Sequence, residues 1–191
     1  MLVEFIIPTY NRKEPLKVML SSLLAQTDPN WGALVYQDGM DNSISKDIVD
    51  WIGDSRIRHK QTQERFNDWG HTPRELGKNE SEADYIVMTG DDNYYTPNFV
   101  MELRRAIKMN ITPPGIIYWD MVHSHAGYQY FPCTPKINLI DMGAFATRND
   151  LAKKIKLGKD FAADGYFIED IRKNYPQEKF FKIKKVLFVH N

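Results

Sequence analysis

The sequence predicts an α/β domain: a mostly parallel sheet flanked by helices, followed by a smaller half built on a mixed sheet. Three observations carry this. Apolar runs of strand length alternate with helical patterns from the first residues onward. Polar clusters rich in Asp and Asn follow three of those strands directly. The pair Pro113-Pro114 then ends the alternation, and shorter strands about a turn follow it.

Taken in order, Val3 to Pro8 is a buried-strand run stopped by a proline. Pro15 to Gln26 has helical spacing. Leu16, Met19, Leu20, Leu23 and Leu24 share one face, and Pro15 suits a first turn. Ala33 to Gln37 is the next strand, followed by the turn Asp38-Gly39-Met40-Asp41-Asn42. Ile44 to Trp51 is a short helix. Arg56 to Gln61 alternates poorly but stands where a third strand is due. Tyr85 to Thr89 is a strand that runs into Gly90-Asp91-Asp92-Asn93. Thr96-Pro97 opens a helix to about Asn110, with Phe99, Val100, Leu103 and Ile107 inward. Beyond the prolines, Ile116 to His123 and Tyr128 to Phe131 are strands about a turn at Ala126-Gly127. Gly143 to Thr147 is a short strand, Asn149 to Lys156 and Gly165 to Asn174 are helical, and Phe180 to Val189 is the final strand. One unit of two halves, 1–112 and 113–191, is expected.

The bulk numbers narrow the function classes. A chain of 191 residues can bury a core, and 42% apolar with 26% charged residues is ordinary for a soluble protein. Lysine plus arginine equals aspartate plus glutamate, 25 each, so no electrostatic case exists for duplex nucleic acid or an anionic membrane. Lys182, Lys184 and Lys185 read as a solvated strand face. Cys133 is the only cysteine, so no intrachain disulfide forms, which fits a reducing compartment. No apolar run approaches the roughly 20 residues of a membrane helix, and no leader pattern opens the chain. A soluble, cytoplasmic protein is expected, either free-standing or as one domain of a longer chain.

In open α/β sheets, ligands bind at the carboxyl ends of the parallel strands. Thr9-Tyr10-Asn11-Arg12, Asp38 with Asp41, and Asp91-Asp92-Asn93 each sit at such an end. A single loop of this kind is usually only a turn; three on successive strand ends point to a site. The adjacent carboxylates of Asp91 and Asp92 repel unless a cation is near. Mg²⁺ takes oxygen ligands, typically one or two carboxylates plus phosphate oxygens. That stoichiometry suits a nucleotide diphosphate joined to the protein through metal. Side chains alternate along a strand, so Asp92 is the expected direct ligand. Asp91 is expected at the ribose or at the metal through water.

The ordered set Ile6-Ile7-Pro8-Thr9-Tyr10-Asn11-Arg12, Gln37-Asp38-Gly39 and Gly90-Asp91-Asp92-Asn93 resembles family 2 glycosyltransferases of the Rossmann-like GT-A fold. It is most similar to the bacterial spore-coat polysaccharide type, over nearly the whole chain. The resemblance implies an inverting transferase. It would move a sugar from a nucleoside-diphosphate donor, UDP first and TDP second, to an acceptor hydroxyl of a glycan, using Mn²⁺ or Mg²⁺. Residues 1–112 would bind the nucleotide sugar and 113–191 the acceptor. Thr9 and Asp38 match positions at the base, and Asp38 can accept from the ring N–H of uracil or thymine. Tyr10, Arg12, Arg74 and Asp91 join the nucleotide contacts. Asp164 matches the residue that deprotonates the acceptor, and His190 a late histidine that joins Asp91 and Asp92 on the metal.

Several positions stay open. Thr72-Pro73-Arg74-Glu75-Leu76 departs from the family's Ala-Arg-Asn, which makes Arg65 the rival of Arg74. Gln37 stands where many relatives carry an acidic residue, leaving the ribose contact open. Asp164 also suits an ordinary N-cap, and Glu169 and Asp170 compete with it as base. His123 and His125 have same-face strand spacing and can take metal or acceptor. Asp141 resembles the acceptor-side strand. Trp69, Tyr94, Trp119 and Tyr130 can stack on sugar rings, although aromatics are first of all core residues. The alternative function is a non-catalytic module that binds a nucleotide sugar or glycan. A nucleotidyltransferase ranks last, because Pro8-Thr9-Tyr10-Asn11 has no glycine for a phosphate cradle.

Overall fold

β1 (Val3–Thr9) is buried along its whole length. A strand covered on both faces needs apolar side chains at nearly every position, which is why it reads as a run and not an alternation. The computed structural model describes residues 1–191. After β1 come α1 (Lys13–Leu24), β2 (Trp31–Gln37), α2 (Ile44–Ile52) and β3 (Ile57–Gln61). β2 is buried throughout like β1. β3 is an edge strand with mostly exposed side chains, which explains its weak pattern. α1 turns Leu16, Met19, Leu20 and Leu23 inward as their spacing requires, but it starts two residues before Pro15 and ends at Leu24.

α3 (His71–Glu80) is a helix that the sequence pattern does not announce. It is polar, holds Pro73 in its first turn and has a glycine in its body. Gly77 is there for packing: a Cβ on it would lie 2.5 Å from the Ile6 Cγ2 of β1. The helix is therefore stabilised by its seat on the sheet and not by local propensity. β4 (Tyr85–Met88) pairs parallel with β1. β5 (Tyr94–Tyr95) is too short to read from sequence. α4 (Phe99–Lys108) buries Phe99, Val100, Leu103 and Ile107 as expected.

The second half adds β6 (Ile116–His123), β7 (Gln129–Phe131), β8 (Phe145–Arg148), α5 (Asn149–Ala152), α6 (Ala163–Asn174) and β9 (Phe180–His190). One sheet joins both halves in the order β3-β2-β1-β4-β8-β6-β9-β5, with β7 on β6. β1 to β4 are mutually parallel where they pair, β8 runs antiparallel to β4 and β6, and β9 runs parallel to β6. The aromatics Phe5, Tyr95, Phe99, Trp119 and Phe188 pack with neighbouring centroids 4.6–5.6 Å apart, so the core also crosses the halves. Trp119 is thus a core residue and not a sugar platform.

Four local expectations change. The helix expected over 149–156 closes at Ala152. The strand expected at Gly143 begins at Phe145, because Met142–Ala144 forms a 3-10 turn capped by Asp141. Asp141 therefore lies on no strand. His125 lies in a second 3-10 turn, Ser124–Ala126, so it does not share a strand face with His123. His190 lies inside β9 and not after it.

Replacing a helical glycine with alanine normally gains about 1 kcal/mol of propensity. Overpacking a filled site costs about 1–3 kcal/mol, and here the clash falls on buried Ile6. Gly77→Ala is expected to lower the urea midpoint. A midpoint at or above the wild-type value would show that α3 does not press on β1 as described.

Candidate active site

β1, β2 and β4 run in one direction, so their carboxyl ends share one edge of the sheet. β6 is antiparallel to β8, which is antiparallel to β4, so β6 ends on that edge as well, with β9 beside it. A cavity of about 980 Å³ opens there. Its lining includes Thr9, Tyr10, Arg12, Asp38, Arg65, Arg74, Asp91, Asp92, Asp141, His123, His125, Asp164 and His190. The residues assigned to nucleotide, metal and base, namely Thr9, Tyr10, Arg12, Asp38, Arg74, Asp91, Asp92, His190 and Asp164, all line this one cavity.

Asp91 is only 4% exposed. The Thr9 hydroxyl donates to its Oδ2 at 2.6 Å, and Arg12 Nη1 lies 3.3 Å from its Oδ1. The same guanidinium nitrogen bonds Asp92. Burial pushes the Asp91 pKa up, while the Thr9 bond and the Arg12 charge oppose that rise. The repulsion between the two carboxylates is thus answered by a cation the protein supplies itself. No group of three or more His, Cys, Asp or Glu side chains forms a ready-made metal centre. The donor chemistry still fits Mg²⁺ or Mn²⁺ bound jointly with a diphosphate, since such ions take few protein ligands and complete their shell with phosphate oxygens. Asp92 is half-buried on the rim, and the Arg12 that pairs with it is half exposed.

The loop before α3 is fixed from below. Both oxygens of Asp38 accept backbone N–H bonds, from Phe66 at 2.8 Å and Asn67 at 2.9 Å. Asp38 therefore shapes the loop besides lining the cavity. Tyr10 donates its hydroxyl to Asp41 at 2.6 Å and carries the Arg65 guanidinium over its ring at 3.6 Å. Arg74 sits elsewhere: its Nε donates to the Thr89 carbonyl at 3.1 Å and its Nη1 to the Trp69 carbonyl at 2.8 Å. Burial pulls its pKa down, and Asp141, Asp91, Asp92 and Asp164 pull it up. The two arginines are not rivals for one place. Gln37 donates to the Gly39 and Asn42 carbonyls, shaping its turn, and does not line the cavity.

In the second half, Asp164 is the second residue of α6, one past the residue that follows the cap position at Ala162. It is not the N-cap. Its Oδ1 accepts from the Gly165 N–H at 2.6 Å. Burial, with Asp141 nearby, pushes its pKa up to about 6. Glu169 and Asp170 are exposed on the helix body and do not line the cavity. His123 and His190 are register partners in adjacent strands, so their rings stack 4.2 Å apart. His190 meets the Ser124 hydroxyl through Nδ1 at 3.1 Å and lies 3.7 Å from Asp141 through Nε2.

Two features escape sequence reading. His71 lines the cavity from the first turn of α3. Lys78 is fully buried and donates to the Ile155 carbonyl at 2.5 Å while pairing with Glu75 at 2.7 Å. Glu75 also accepts from the Leu157 N–H at 2.9 Å. Their signal, a charged pair one turn apart on an unannounced helix, looks like surface from sequence alone.

The family model described as Glycosyl transferase family 2 matches residues 4–124. The chain belongs to glycosyl transferase family 2. No curated protein matches it. Among solved structures, this family 2 chain is similar to TarS 1-349 of S. aureus, with a TM-score of 0.79 at 15% identity over 100% of its length. TarS 1-349 in complex with UDP-GlcNAc matches with the same score at 15% identity. A mannosyltransferase of Pyrobaculum calidifontis, PcManGT in complex with GDP-Man and Mn²⁺, matches with a TM-score of 0.74 at 14% identity over 98% of the chain. The chain spans 60%, 58% and 56% of those three structures, respectively. At such identities the likeness shows a shared fold. No helix of this chain is long and apolar enough to cross a membrane.

Removing the Asp38 carboxylate leaves two loop amides without their acceptors, at a cost of about 2–4 kcal/mol. Asp38→Ala is expected to melt several degrees lower and to be cut by trypsin after Arg65. Wild-type melting with that bond still resistant would mean the loop is held by other contacts.

Proposed function

We propose that this chain transfers a sugar from a nucleoside-diphosphate sugar to an acceptor hydroxyl of a glycan, with inversion and with a divalent cation. One observation carries the reading. A single cavity is lined by the strand-end residues Thr9, Arg12, Asp38, Asp91 and Asp92 and by Asp164, a carboxyl raised to about 6. The ligands held by the similar structures, UDP-GlcNAc by TarS and GDP-Man with Mn²⁺ by PcManGT, support the substrate class. Uridine is the preferred base, with thymidine second.

In this reading Thr9, Tyr10 and Asp38 frame the base. Asp38 keeps unused lone pairs after serving Phe66 and Asn67, so it can still accept from a ring N–H. Arg74 and Arg12 face the diphosphate. Asp92, with Asp91 behind it and His190 beside it, would hold Mn²⁺ or Mg²⁺, whose charge favours departure of the diphosphate. Asp164 accepts the proton of the acceptor hydroxyl as that oxygen bonds the anomeric carbon. The bond from that carbon to the diphosphate oxygen breaks, and the electron pair leaves with the nucleotide.

The first test is a thermal-shift panel of nucleoside diphosphates and nucleotide sugars, each with Mn²⁺ and with EDTA. A ligand that binds only the folded state raises the melting temperature by mass action. A metal-dependent rise with uridine species is expected. No shift with any of them, in folded protein, would remove the donor site. Donor binding without turnover towards any acceptor would favour the non-catalytic module. Asp92→Ala is expected to lose the metal-dependent part of the shift, and an unchanged shift would remove Asp92 from the metal.

A base must be deprotonated, so kcat/KM should fall about tenfold per pH unit below 6 and level off above it. Asp164→Asn should lose about a hundredfold or more of kcat while keeping the nucleotide shift. The same change has a stability sign. The folded-state pKa of about 6 lies above the ordinary 3.8, so the folded state holds its proton longer and loses stability as pH rises between those values. Asp164→Asn removes that penalty and should melt higher than wild type at pH 8. Equal turnover, or a lower melting point at pH 8 than at pH 4 relative to wild type, would overturn the assignment.

A further inference from the structure

Trp69 stands in an unusual state. Its φ is +55°, in the left-handed region that a bulky side chain seldom adopts, and its neighbours Asn67 and Gly70 are also at positive φ. Its indole is 67% exposed. The backbone is held in place by Arg74, which bonds the Trp69 carbonyl, and by Asp38 and Asp68 on either side. The chain thus spends strain to present an aromatic face that packs on little of its own interior. That face borders the cavity.

His71 is the complement. It is only 7% exposed, lines the same cavity, and lies with its ring 6.2 Å from the indole. Neither ring nitrogen closes a hydrogen bond of normal geometry, although the Asp160 main chain faces the imidazole. A buried polar group so weakly satisfied is costly and leaves capacity for a ligand. Burial and the nearby Arg74 hold the imidazole neutral, so it can both donate and accept. A neutral donor-acceptor pair suits a hydroxyl and not a phosphate. An exposed aromatic beside it suits the C–H face of a sugar ring.

The location selects which sugar. His71 lies one turn before Arg74 on α3, and Arg74 feels the charges of Asp91, Asp92 and Asp164, all of which line the same cavity. The group that passes between a departing diphosphate and the base is the transferred sugar. We infer that Trp69 and His71 form the subsite for the ring of the transferred sugar, with the ring on the indole and one hydroxyl on the imidazole. This rests on the donor site proposed above.

The test compares UDP with UDP-glucose and UDP-N-acetylglucosamine, with Mn²⁺, by thermal shift and by titration of tryptophan fluorescence. Wild type should bind at least one of the sugar nucleotides more tightly than UDP. Trp69→Ala and His71→Ala should weaken that sugar nucleotide about tenfold, the scale of one stacking or hydrogen-bond contact, while UDP stays within about twofold. Trp69→Phe and His71→Gln, which keep an aromatic ring and a neutral donor-acceptor pair respectively, should recover part of the difference. Both variants keeping the full sugar increment would overturn the subsite, as would a wild type that binds UDP but gains nothing from either sugar. No UDP binding in wild type would instead remove the donor site itself, and the subsite with it.

Discussion

Asp91 carries a carboxylate into a nearly dry position at the end of β4, and the cleft is arranged around what that requires. A buried charge must find hydrogen bonds and a counter-charge. Thr9 supplies the first from the end of β1, the strand next to β4, and Arg12 supplies the second from just beyond it. The bond from Thr9 therefore also locks two strand ends together. Asn93 continues the stitching: its amide donates to the Thr89 hydroxyl at 3.1 Å, and its carbonyl accepts from the Asn191 N–H at 3.3 Å. Residues that serve a ligand in this reading thus also hold the edge of the sheet on which they stand.

A second layer of electrostatics links the halves. Arg74 feels the charges of Asp91, Asp92, Asp141 and Asp164, two from each half, while Arg12 bonds only the first two. It offsets part of their mutual repulsion while burial works against its own charge. Asp164 has no cation in direct contact, so burial raises its pKa. Burial raises Asp91 as well, but there the Thr9 bond and the Arg12 charge oppose the rise.

The parts of this arrangement with local causes were legible in the sequence. β1, β2 and β4 read as runs because they are covered on both faces, and α4 reads as a helix because one stripe of it is apolar. The strand-end positions of Thr9, Asp38 and Asp91 follow from those runs. α3 was not legible, since its stability comes from the fit of Gly77 against Ile6 and from Lys78 reaching Ile155. His71 was hidden with it. The stacking of His123 on His190 depends on strand register between segments far apart in the chain, which no local pattern encodes. Asp38 was read as a ligand contact only; its service to the Phe66 and Asn67 amides appears once the loop is folded back over it.

The buried link from Glu75 and Lys78 to Ile155 and Leu157 has a bearing on how such a chain can be inherited. One helix of the first half is wired to main-chain groups of the second through a fully buried lysine and a half-buried glutamate. Grafting residues 113–191 from a cousin would require its backbone to arrive at the same carbonyl and the same amide. Otherwise the buried Lys78 loses its main-chain acceptor and keeps only Glu75. The two halves are therefore not interchangeable modules.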